Sequence, residues 1–166
     1  VEDRLLQGSE YPDDTGEASP LLATAMSAYA ADPARYPDVL AALGSARLLV
    51  PVVAVLGEVE TGPDGLARDK TSDMATVLLT GADGRSALLA FSSTATLAAW
   101  NPEGRPAPVP TRTAALSAVQ EGADALLIDV AGPVPVAVEG ENLTALAAGW
   151  RLARAGDQVG WVAPPE

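Results

Sequence analysis

The chain has 166 residues and a formal net charge of −12, and it contains neither cysteine nor histidine. That length suits one domain with a packed core of its own. The missing residue types exclude disulfides, thiolate and imidazole metal sites, cysteine nucleophiles and the Ser-His-Asp triad, while the acidity opposes phosphate backbones and anionic membranes. No cofactor, nucleic-acid partner or membrane partner is therefore expected, nor stoichiometric zinc, iron or copper.

Residues 1–18 are polar and acidic, and they read as a flexible leader. Asp13 and Asp14 could offer oxygens to Mg²⁺ or Ca²⁺, but in such a segment solvated carboxylates are the plainer expectation. No apolar signal-like stretch follows Val1-Glu2-Asp3-Arg4, and no run reaches membrane-spanning length, so a cytoplasmic location is expected. Ser19-Pro20 is a cap followed by an N1 proline, and Leu22, Met26 and Tyr29 follow at helical spacing, predicting a helix over 20–31. A second helix is expected over 37–43, stopped by Gly44, with Val39, Leu40 and Leu43 inward.

Leu48 to Val55 is apolar throughout and reads as a strand covered on both faces, in which Pro51 needs an edge or a bulge. Residues 57–70 read as a polar loop. Ala75–Thr80 and Arg85–Phe91, joined by Gly81-Ala82-Asp83-Gly84, read as a hairpin. Alternation places Leu78 and Leu88 on its other face among Thr and Ser; a face that is half apolar is either covered or used for contact, and the two leucines are taken as candidate contacts. Ser92 or Ser93 then caps a helix carrying Leu97 and Trp100. A Pro-rich link from Pro102 to Pro110 leads to a helix over 112–121, with Leu116 and Val119 inward. A second strand pair, Ala125–Val130 with Val134–Val138, precedes a helix capped by Asn142 and carrying Leu143, Leu146 and Trp150.

Thr76–Trp100 and Ala125–Trp150 both read strand, turn, strand, cap, helix, so two ββα-like units are expected. The predicted fold is α/β (α+β), a mixed and largely antiparallel sheet of five or six strands with helices packed on it. Its domain would run over 19–153, with a leader over 1–18 and a tail over 154–166.

The catalytic fingerprints are absent: no Walker A, G-x-G-x-x-G or G-x-S-x-G motif occurs. Chemistry is left to carboxylates, hard cations or a Lys/Ser pair. One segment concentrates such groups. Lys70, the sole lysine, is followed by Thr71, Ser72, Asp73 and Met74 where a loop meets a strand. A binding element would use Lys70 as cation and the hydroxyls as adaptable hydrogen-bonding groups. A purely structural reading has Ser72 or Asp73 bonding local backbone amides at the strand entry.

Lys70-Thr71-Ser72-Asp73-Met74, Leu79 to Arg85 and Leu89 to Ser93 together resemble the SseB amino-terminal-domain family. Ala46 to Ala54 before them, and Glu121 to Asp129 with Ala131-Gly132-Pro133 after them, are similar to its actinobacterial branch. The resemblance covers roughly residues 20–150; Thr71 stands where Ser is more usual. It implies a small α/β domain with no established activity, no cofactor and no catalytic residues to carry over. The family's labels of serine sensitivity and type III secretion assign no residue. The expected role is a non-enzymatic adaptor for an unknown protein partner or a second copy of itself. Lys70–Met74 and the pair Leu78 and Leu88 are the candidate contacts. The alternative is an enzyme or small-molecule sensor with a carboxylate, Lys and Ser pocket near Lys70 and Asp73, or a sensor pocket beside the Trp100 and Trp150 helices.

Overall fold

The computed structural model describes residues 11–56, 59–61, 67–69 and 72–166, with backbone alone between 53 and 75. Its helices are α1 (Pro20–Ala31), α2 (Tyr36–Leu43), α3 (Thr94–Trp100), α4 (Thr111–Gln120) and α5 (Gly140–Ala147). A 3-10 turn over Pro33–Arg35 joins the first two, and the Asp32 side chain caps it by accepting from the Ala34 amide. β1 (Arg47–Leu56) lies between β4 (Ser72–Thr76) and β7 (Arg105–Pro110), antiparallel to both. A second sheet runs in the order β5 (Leu78–Thr80), β6 (Ser86–Ala90), β8 (Ala125–Ile128), β9 (Val136–Glu139). Its outer pairs are antiparallel, and the central pair, β6 with β8, is parallel. A bridge between Leu49 and Phe91 joins the two sheets. The mixed, largely antiparallel α/β class is as expected, although the expected five or six strands fall short of the two sheets together.

Pro51 shows how a proline fits inside this frame. It faces Pro106 on β7, and two prolines have no N–H to exchange, so theirs is a non-hydrogen-bonded pair. Its nitrogen then points to the other flank. There Leu49 is bonded to Phe91, and pairing with β4 begins only at Val52. The proline sits in the gap between two partners.

Both faces of the second sheet are covered. On one, Leu88, Ala90, Leu126, Ile128, Val136 and Val138 meet α1, α2, α4 and α5 in the main core. On the other, Leu89 and Phe91 join Leu49 and Leu97 in a smaller cluster under α3, where the Trp100 ring lies 5.6 Å from that of Phe91. Leu88 is therefore fully buried, not an outer contact, because α/β layering covers the face that looked half polar in sequence. Its partner Leu78 is on the short edge strand and stays 40% exposed.

Several expectations need correction. The link over 102–110 is largely strand β7, and the loop over 57–70 holds a short pair, β2 (Val59–Thr61) with β3 (Ala67–Asp69). In α4 the inward residues are Ala114, Ala115 and Ala118, while Leu116 and Val119 are exposed. The small side chains let α4 approach α5, which buries Ala145 and Ala147 in turn. The two ββα-like segments are not structural equivalents. Their inner strands run parallel, which a simple repeat of hairpins along the sheet would not give. Their helices also pack on opposite faces: Leu97 lies with Leu89, and Leu143 and Leu146 lie with Leu88. Trp150 follows α5 instead of ending it, Glu139 stands at the N-cap position assigned to Asn142, and the tail contains a hairpin of β10 (Arg151–Ala155) and β11 (Gln158–Val162).

Candidate functional site

Of the residues singled out by sequence, Lys70 and Thr71 lie outside the described residues. Ser72, Asp73 and Met74 enter β4 opposite Leu56, Val55 and Ala54, but their side chains lie outside the description too. Two other places carry the chemistry that the structure does bring together; of their residues the sequence had singled out for function only Asp14, as a solvated carboxylate, and Trp150, beside a sensor pocket.

The first is a polar lock at the carboxyl ends of the parallel pair β6 and β8. In open α/β sheets that is where ligands commonly bind. Here the protein fills the place itself. Asp129 follows β8, is 2% exposed and has a left-handed backbone with φ 57°. Its Oδ1 accepts from the Ser92 amide at 2.8 Å and from Thr96 Oγ1 at 2.8 Å, and its Oδ2 accepts from Ser92 Oγ at 2.5 Å. Ser93 caps α3 in a reciprocal capping box with Thr96, so the buried carboxylate also lies by the positive end of that helix. Ser92 Oγ is held as a donor to a carboxylate that already accepts two further bonds. Nothing in this arrangement activates it as a nucleophile.

The lock extends outward through Arg47. Its guanidinium donates to both Asp14 oxygens, to the Ser92 carbonyl at 2.7 Å and to the Glu17 carbonyl at 2.7 Å. Asp14 was expected to be solvated; instead its side chain is only 15% exposed and that of Arg47 9%. Hydrogen bonding from Arg47 holds the Asp14 carboxyl below its usual range, with burial opposing and the Gly16 amide assisting. Gly16 adds a second tie, its carbonyl accepting from the Thr94 amide at 2.8 Å. The stretch 11–18, expected to be part of a mobile leader, is thus pinned to β1 and α3. Aspartate composition could not reveal this, because the partner arginine lies far along the chain.

The second place is aromatic. The chain has only three Trp, three Tyr and one Phe, yet Tyr29, Tyr36, Trp150 and Trp161 gather around α5. Asn142 on that helix links them. Its Oδ1 accepts from Trp161 Nε1 at 3.1 Å, and its side chain shares a groove lining with Tyr36. Tyr36 in turn donates to the Ala137 carbonyl at 2.7 Å, and its ring lies 5.6 Å from that of Tyr29. Burial, then the neighbouring Tyr29 and Glu139, push the Tyr36 hydroxyl above its usual pKa, and the nearby Asn142 side chain opposes them. On the outer side of α5 a groove of about 410 Å³ is lined by Glu141, Thr144, Ala145, Ala148, Trp150 and Trp161. Trp150 is 40% exposed there. A pocket between the sheet and the Trp100 and Trp150 helices was expected; Trp100 instead packs on Phe91 on one side of the sheet, and Trp150 lines the groove on the other.

Gly149 makes the turn that presents Trp150. Its φ is 79°, and a Cβ would stand 3.2 Å from Arg112 Cδ, so a larger residue is strained twice over. The hairpin that follows brings Trp161 back across from Leu152. Among the described residues, no group of three or more Asp and Glu side chains is arranged to hold a metal ion, and none of the buried side-chain polar atoms lacks a partner.

Fold and sites together define a layered α/β domain whose buried polar groups serve its own architecture and four of whose aromatic residues lie around α5. The chain belongs to the SseB N-terminal domain family, whose model matches residues 22–145, from α1 into α5. The match includes the Asp129 lock and Arg47; the hairpin with Trp161, and Trp150, lie beyond it. No curated protein and no solved structure matches the chain.

Proposed function

We propose that this SseB-family domain is a non-enzymatic interaction module that binds a protein partner through the aromatic surface around α5. One observation carries the reading. In a chain with seven aromatic residues, four lie around α5, the tryptophans Trp150 and Trp161 in one groove and the tyrosines Tyr29 and Tyr36 in a neighbouring one, and Trp150 is 40% exposed. Tryptophan and tyrosine supply large contact area at small entropic cost, and they dominate interface energetics. Supporting this, the polar cluster that most resembles an active site is saturated by internal hydrogen bonds. The segment Lys70–Met74 and Leu78 are proposed as further contacts. A cytoplasmic location and an actinobacterial origin, the latter resting on a basic complement that is arginine apart from Lys70, belong to the same proposal.

The test is quantitative affinity capture from native cells with the intact chain, Trp150→Ala, the pair Lys70→Ala and Asp73→Ala, and a control at exposed Val119. A protein captured by the intact chain and the control but lost with Trp150→Ala is the expected result. An identical captured set for all four refutes the surface. Fractionation of the same cells that placed the protein with membranes or outside the cell would refute the location.

A further inference from the structure

We infer that the groove between Trp150 and Trp161 seats an arginine side chain of the partner; this rests on the interaction reading and gives it a chemistry. The lining sets the argument. Along α5, Glu141, Thr144, Ala145 and Ala148 fall at positions i, i+3, i+4 and i+7, one stripe of a helix. Thr144 and the two alanines are the short side chains of that stripe.

The walls are two indoles. Trp161 is held by its bond to Asn142, and the turn at Gly149 sets where Trp150 leaves the helix end. Among the described residues the two indoles make no ring contact with each other, and both line the open groove. Indole faces are the best aromatic partners for a cation.

Charge decides which guest. The single charged residue in the lining is Glu141, and it has no ion-pair partner among the described residues. Arg112 passes over Gly149 without lining the groove. The whole chain adds a net charge of −12, which draws cations and repels anionic guests. A plain hydrocarbon side chain would leave Glu141 unused, and a carboxylate or phosphate would oppose it. Arginine fits better than lysine because its planar guanidinium stacks on an indole while its edge still donates to a carboxylate. The Thr144 hydroxyl offers a further acceptor on the same stripe. Trp100, on the far side of the sheet and packed on Phe91, takes no part.

The experiment follows the three indole N–H signals by nuclear magnetic resonance as the intact chain is titrated with short Gly-Ser peptides. One peptide bears two arginines, one two citrullines of the same shape without charge, and one two leucines. With the arginine peptide, the Trp150 and Trp161 signals shift and saturate while Trp100 stays fixed. The citrulline peptide leaves all three unmoved. Glu141→Gln and Trp150→Leu each weaken the arginine titration by about 3- to 5-fold, the range for an exposed cation–π contact. Added salt weakens it further. If shifts spread over the acidic surface while the two indoles stay still, the seat is refuted. If leucine moves the indoles and arginine does not, the arginine inference falls and the interaction surface stands. If no peptide moves them and no captured partner depends on Trp150, both readings fall.

Discussion

Replacing Asp129 tests whether the polar lock, rather than the apolar layers alone, holds the carboxyl ends of β6 and β8 together. Asp129→Ala removes the acceptor for three donors. Thr96 Oγ1 can turn to the Ser93 carbonyl, which it already reaches at 3.0 Å, so its loss is largely recovered. The Ser92 amide cannot move with β6 fixed, and the Ser92 hydroxyl is buried beside it. Leaving buried donors without a partner costs about 1–3 kcal/mol each. An alanine held at φ 57° adds about 1 kcal/mol, because left-handed backbone suits Gly, Asn and Asp better than other residues. The expected total is about 3–7 kcal/mol. Asp129→Gly relieves the backbone and loses the bonds, for about 2–6 kcal/mol. Asp129→Asn keeps an oxygen for the Ser92 amide and tolerates the backbone, for about 1 kcal/mol. Urea unfolding followed by tryptophan fluorescence gives each value by linear extrapolation. The order is the diagnostic: asparagine mildest, glycine next, alanine worst. A loss below about 1 kcal/mol for Asp129→Ala, or asparagine as harmful as alanine, would refute the lock, since ordinary surface changes lie within about 0.5 kcal/mol.

Three further outcomes follow from the same contacts. Asp14 has a folded pKa below its usual 3.8, so its contribution is fully present above that value and is lost as the pH falls through the folded pKa. Asp14→Asn should therefore lower stability at neutral pH and flatten the acid limb of the stability curve below about pH 4; an unchanged acid limb in urea melts across pH would contradict this. Gly16→Ala places a Cβ 2.6 Å from Thr94 Cγ2 at φ 81°, and should free the 11–18 stretch for rapid proteolytic cleavage at low protease concentration. Protection equal to the parent chain would contradict the pinned stretch. Leu88→Ala should cost about 2–5 kcal/mol as a fully buried residue, whereas Leu78→Ala on the exposed edge should cost less than about 1 kcal/mol; equal losses in thermal or urea melts would contradict the assignment of faces.

By itself the sequence determined what local chemistry determines. Ser19-Pro20 and the spacing of Leu22 and Met26 specify α1, the Ser93 cap specifies α3, and Gly81 to Gly84 specify the β5–β6 hairpin, because caps, prolines and turns act over a few neighbouring residues. Composition ruled out thiol and imidazole chemistry, and five ordered motifs carried the family, which the match over 22–145 shows. The tertiary structure decided the rest. Leu88 and Leu78 are opposite neighbours in one ladder, yet burial separates them, because only packing says how far a helix layer extends over a sheet. Alanines, not Leu116 and Val119, face inward in α4, since the inward side is set by how near α5 comes rather than by which residue is most apolar. Asp14 with Arg47, Ser92 with Asp129 and Asn142 with Trp161 join residues distant along the chain. No local pattern encodes which distant donor a carboxylate or amide will meet; that is fixed only when the strands pair and the helices close over them.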